Sequence, residues 1–84
     1  MTISENFNPK ITVDAQGLSC PMPLLKAKQA LNQVEADDIV CVIASDAGSV
    51  RDFHSFADLT EHKIVDFCDE NGIYTYTIRK GKLV

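Results

Sequence analysis

The sequence has no excess of basic charge, no long apolar run and no closely spaced pair of cysteines, and each lack removes a class of function. Eight Lys and Arg stand against twelve Asp and Glu, a formal net charge of -4, and the basic residues are scattered apart from Arg79, Lys80 and Lys82. Direct nucleic-acid binding is therefore disfavoured. No stretch approaches the roughly 20 apolar residues of a membrane helix. The start, Met1 to Pro9, carries Glu5, Asn6 and Asn8 rather than a basic end followed by an apolar run, so a chain neither exported nor anchored is expected. The three cysteines, Cys20, Cys41 and Cys68, cannot all pair within one chain and show neither a C-x-x-C nor a zinc-like spacing. Reduced thiols in a cytoplasmic setting are the simplest expectation.

What is present fits one small domain. The 84 residues suffice for a single modest core, and 45% apolar with 24% charged residues is ordinary for a globular chain. Residues 1–9 lack periodicity and read as a flexible lead-in; residues 10–82 read as the domain. Ile11 and Val13 alternate with Lys10, Thr12 and Asp14, as in a half-buried strand. Leu24, Ala27, Leu31 and Val34 then recur at helical spacing, predicting an amphipathic helix from Pro21 to about Val34. The β-branched run Ile39 to Ala44 predicts an interior strand. Ser49 with Asp52 suggests a capping box opening a second helix from Val50 to about Thr60. Two strands follow, Lys63 to Cys68 and Ile73 to Arg79, joined through Asp69 to Gly72, where Asn71-Gly72 suits a tight hairpin. The order β-α-β-α-β-β, with a right-handed crossover joining the first two strands in parallel and an antiparallel hairpin at the end, predicts an α/β fold. It is a two-layer sandwich, with two helices on one face of a mixed four-stranded sheet.

The chemistry concentrates at Cys20-Pro21-Met22-Pro23. With a helix starting at Pro21, Cys20 takes the N-cap position, facing unpaired N–H groups and a partial positive charge that favour a thiolate. Proline is tolerated in a first helical turn because its missing N–H has no helical partner there. Activation by the backbone, with a lowered thiol pKa, is the expectation. Spacing alone leaves a second reading open, in which Cys20 is a turn residue and the prolines merely start a helix.

The run from Asp14 to Pro23, D-A-Q-G-L-S-C-P-M-P, resembles the D-x-x-G-L-x-C-P-x-P signature of the TusA-like, or SirA-like, sulfur-carrier family. The resemblance extends over roughly Lys10 to Lys82 and takes in Asp46, Arg51-Asp52 and the closing Arg79-Lys80-Gly81. It implies that Cys20 accepts a sulfane sulfur from a cysteine desulfurase or another sulfur donor, carries it as a persulfide, and passes it to a downstream acceptor protein. It gives Gly17, Pro21 and Pro23 the role of supporting the motif, and implies no cofactor beyond the transient persulfide. It leaves open whether such a relay counts as an enzyme, since the partners supply the rest of the chemistry. Where the tRNA-thiolation member of the family has a glutamate between the prolines, this chain has Met22, so no tRNA-thiolation relay is assumed.

The remaining residues have plainer readings. Met22, Asp46 and Arg51 are candidates for partner docking, although Asp46 and Arg51 serve equally well as a solvated or mutual pair. Cys41 and Cys68, in apolar strands, read as small core residues. Asp52 reads as a cap, His54 and His62 as solvated rather than metal-bound, and Arg79, Lys80 and Lys82 as a solvated tail. The competing function is a regulatory or interaction module that uses Cys20 as a redox-sensitive contact without carrying sulfur. It is disfavoured by the lack of an evident resolving cysteine.

Overall fold

The apolar alternation after Pro9 forms β1 (Ile11–Ala15), and the β-branched run forms β2 (Ile39–Ala44) alongside it. The two are parallel, with Ile11 opposite Val40 and Ala15 opposite Ala44. Between them runs α1 (Met22–Leu31); α2 (Gly48–Leu59) follows, and the chain closes with the hairpin β3 (Lys63–Glu70) and β4 (Ile73–Arg79). The sheet order is β1-β2-β4-β3, so the late strand β4 inserts antiparallel between β2 and β3. This is a computed structural model and describes residues 8–82; the lead-in expected over residues 1–9 lies almost wholly outside them.

The core lies between the helices and one face of the sheet. Ala27, Ala30 and Leu31 of α1 and Phe53 of α2 meet Val40, Val42, Tyr76 and Ile78 of the central strands, all of them buried. The two alanines let α1 sit close to the sheet, and Phe53 stacks on Tyr76 with ring centroids 4.0 Å apart and planes at 11°. Below them Ser49 and Tyr76 share a buried hydroxyl hydrogen bond of 2.8 Å.

Several boundaries and roles depart from the sequence reading. Helix α2 begins at Gly48 without a side-chain cap, because the Ser49 hydroxyl is spent on Tyr76 and no capping box forms. Helix α1 stops at Leu31; the amides of Gln33 and Val34 bond three residues back, tightening its exit, while Val34 stays in the core. The carbonyl of Val34 accepts a 2.6 Å bond from Lys80 Nζ, which is why Lys80 is buried rather than part of a solvated tail. The hairpin loop is shorter than expected, since pairing runs on to Glu70 opposite Ile73. That leaves Asn71 and Gly72 at φ +54° and +79° as a two-residue turn.

Cys41 and Cys68 also depart from expectation, for neither is in the core. In β2 it is Val40, Val42 and Ala44 that face the helices, so Cys41 points to the open side of the sheet, between Thr12 and Thr77 on the flanking strands. An irregularity between Ile64 and Asp66 resets β3 so that Phe67 pairs with Tyr76 toward the helices and Cys68 is left exposed opposite Thr75.

Candidate functional site

Parallel pairing of β1 and β2 brings their C-terminal ends to one edge, so the loops leading into α1 and α2 must lie side by side there. Hydrogen bonds join them. Gly17, at φ +83°, donates its N–H to Ser45 Oγ at 2.8 Å, and Cys20 donates its N–H to Asp46 Oδ2 at 3.1 Å. Asp14 Oδ1 accepts from the amide of Gln16 at 3.1 Å, tightening the exit from β1. Gly48 opens α2 where space is scarce: a Cβ there would stand 3.0 Å from Asp46 Oδ2 and 3.6 Å from Cys20 Cβ. A glycine at this position lets the second helix start against the cysteine loop.

The cysteine sits one residue further out than expected. The helical N-cap is Pro21, whose preceding peptide bond is cis, so Met22 and Pro23 are the first two helical residues and Cys20 precedes the cap. The Met22 amide is taken by Ser19 O at 2.8 Å, and Pro23 has none to offer. Cys20 is exposed, and its Sγ donates to Asp52 Oδ2 at 2.6 Å.

This geometry reverses the expected electrostatics. The thiol pKa is raised, first by the hydrogen bond to Asp52, then by partial desolvation and by the negative charges of Asp52 and Asp46, with Arg51 alone pulling the other way. The physical reason is range: the helix terminus acts only within its first turn, where Ser19 O has taken the Met22 amide and Pro23 has none, whereas a carboxylate oxygen touches the sulfur itself. At neutral pH the direction of this shift favours the thiol over the thiolate.

Of the residues singled out in the sequence, Cys20 and Asp46 come together directly, and Gly17 is tied to the neighbouring Ser45. Pro23 is buried beneath the start of α1, and Pro21, Met22 and Arg51 are exposed around the sulfur. Asp46 is occupied by the cysteine backbone and so holds the loop. Asp52, read as a cap, is the side chain in contact with the sulfur, and Ser45 and Gly48 complete the junction. A signal for Asp52 was present: it stands one turn after Gly48, and helical side chains lean toward the N-terminus, so a site at that helix start lies within its reach.

Beside the sulfur, a groove of about 360 Å³ runs between the helices, lined by Leu24, Lys28, Asp52, Phe56 and Leu59. Among the described residues, Met22, Leu25 and Leu59 are the large apolar residues left exposed, at 41%, 42% and 84%. Among the described residues no cluster of His, Cys, Asp or Glu is arranged to hold a metal ion, and no helix is long and apolar enough to cross a membrane. His54 Nδ1 lies 2.8 Å from Val50 O, and His62 Nδ1 accepts the Gly81 amide at 3.0 Å, so His62 is a packed residue rather than a merely solvated one.

A two-layer α/β domain that presents one exposed thiol at the meeting point of two helix starts defines a class of small thiol-bearing proteins. Within that class, the family profile described as sulfurtransferase TusA matches residues 11–80, and the chain belongs to that family. It is 41% identical over 69 residues to the sulfur carrier protein TusA of Allochromatium vinosum, covering 82% of this chain and 91% of that one. It is 38% identical over 68 residues to a candidate sulfur carrier of Neisseria meningitidis, covering 81% and 92%. The crystal structure of the SirA-like protein from Desulfitobacterium hafniense superposes with a TM-score of 0.73 at 31% identity, over 86% of this chain and 99% of that one.

Proposed function

We propose that this protein is a sulfur carrier that holds sulfane sulfur as a persulfide on Cys20, receiving it from a cysteine desulfurase or related sulfurtransferase and passing it to an acceptor protein. The observation that carries this reading is the placement of Cys20: its sulfur is exposed at the edge of the fold, on a loop fastened by Ser45 and Asp46, where two partners have access to it in turn. The sulfur-carrier relatives support the same role.

In loading, Cys20 Sγ attacks the terminal sulfur of a donor persulfide. The donor's S–S bond breaks, its electron pair leaves on the donor's own sulfur, and the proton lost from Cys20 ends there, giving donor thiol and Cys20 persulfide. Discharge is the same exchange onto an acceptor thiol. No cofactor of the chain's own takes part. Met22, two residues from the sulfur, and Leu59, which lines the groove, are exposed and offer the partners an apolar contact. Met22 gives an apolar neighbour to the sulfur rather than an anionic one, so the identity of the acceptor is left open. The cytoplasm is the setting in which such a thiol stays reduced.

Incubation with a cysteine desulfurase and cysteine, followed by intact mass without reductant, is expected to show one added sulfur on the wild type and none on Cys20→Ser. Equal loading of the variant, or no loading of the wild type, overturns the proposal. The redox-contact reading gains nothing from the fold, since Cys41 and Cys68 lie on strands of the open sheet face, away from the loop that carries Cys20.

A further inference from the structure

The carrier reading leaves unassigned the group that takes the Cys20 proton when the new S–S bond forms. From the 2.6 Å contact between Cys20 Sγ and Asp52 Oδ2, we infer that Asp52 is a catalytic residue of sulfur transfer: it holds Cys20 as a thiol at rest and accepts its proton during loading. The inference rests on Cys20 being the carrier atom.

The step balances without any further reactant. As Cys20 Sγ bonds to the terminal sulfur of the donor persulfide, its proton moves to Asp52; the donor S–S electron pair leaves on the donor thiolate, which then takes the proton from Asp52. Donor thiol, Cys20 persulfide and a regenerated carboxylate remain.

Three features fit Asp52 for this and not Asp46. Asp46 also lies beside the cysteine, but its Oδ2 accepts the backbone N–H and so fixes the loop rather than touching the sulfur. Asp52 belongs to α2, whose buried side is anchored by the neighbouring Phe53 stacked on Tyr76, so the carboxylate projects from a rigid element. It also lines the groove with Leu24 and Phe56, where an entering partner displaces water and strengthens the charge interactions. The charged groups around the pair are Asp46 from the β2–α2 loop, Arg51 on α2 and Lys28, which lines the same groove from α1. With two carboxylates near the sulfur, the free carrier keeps a weakly nucleophilic thiol and is spared adventitious alkylation and oxidation.

Two readouts on Asp52→Asn, with folding checked by circular dichroism, test this. The first is the pH profile of iodoacetamide modification at Cys20, followed by peptide mass spectrometry so that Cys41 and Cys68 are read apart. The wild-type profile is expected to inflect above the ordinary thiol value, and Asp52→Asn to move it to lower pH and speed modification at pH 7. The second is the rate of sulfur loading from a desulfurase persulfide, expected to fall about 100-fold, the low end of what a positioned base contributes. Faster alkylation with slower loading is a combination that mere loosening of the fold does not give. An unmoved inflection, or loading as fast as or faster than wild type, overturns the assignment. If the wild type does not load at all, the carrier reading fails, while the alkylation profile still reports whether Asp52 governs the thiol.

Discussion

At the scale of single residues, the site depends on atoms that barely fit. Gly48 leaves room for Asp46 Oδ2 and Cys20 Cβ, and a methyl group there meets the carboxylate at 3.0 Å, a distance the side chain has to relieve by turning away. Gly48→Ala is therefore expected to alter stability by no more than about 0.5 kcal/mol, since alanine favours the helix, yet to weaken the bond from the Cys20 amide to Asp46. Amide hydrogen exchange at Cys20 is expected to speed up, with unfolding in urea nearly unchanged. Gly81 is the opposite case. A Cβ there runs into the backbone of Glu61, which cannot move aside as a side chain does, so Gly81→Ala is expected to cost about 1–3 kcal/mol in urea unfolding while leaving Cys20 alkylation unaltered.

At the scale of elements, polar groups spent inside the fold decide where helices begin and end. The Ser49 and Tyr76 hydroxyls satisfy one another in the core, so Ser49→Ala or Tyr76→Phe alone leaves a buried hydroxyl unpaired and is expected to cost about 1–3 kcal/mol. The double variant, with neither hydroxyl, is expected to lose less than the sum of the two, which a double-mutant cycle in urea measures. These same bonds mark the limit of what the sequence makes legible. Apolar period placed all six elements in order, because Val40, Val42 and Tyr76 on one side, and Leu31 and Phe53 on the other, state their burial through spacing. It misassigned Ser49 and Lys80, whose partners, Tyr76 and the Val34 carbonyl, lie 27 and 46 residues away in the chain. The candidate site divides in the same way. Cys20, Gly17 and Asp46 stand out by type and motif, whereas the role of Asp52 depends on how α2 is set against the loop before α1, 32 residues earlier.

At the scale of the whole molecule, Cys20 and His62 link pH to folding in opposite directions. The Cys20 thiol is raised in the folded state by Asp52, so its small contribution is complete below the ordinary thiol value and fades as pH rises through the folded one. His62 is lowered, first by burial and then by the Lys80 ammonium, and its neutral Nδ1 is the acceptor for the Gly81 amide that ties the end of β4 to the β3 approach. Between the folded value and the unfolded value of 6.5, the unfolded chain binds more protons, so stability rises with pH across that window. The contribution is therefore complete above about pH 6.5 and lost as pH falls through the folded value. Because His62 is only partly enclosed, solvent screening holds the effect to about a few tenths of a kcal/mol. Urea unfolding at pH 7.5 and 5.5, roughly a unit to either side of the unfolded histidine value, is expected to show the wild type losing that amount on acidification. His62→Gln, whose amide oxygen accepts the same N–H without titrating, is expected to remove the loss. An equal loss in both proteins assigns the acid sensitivity to other groups and removes His62 from the linkage.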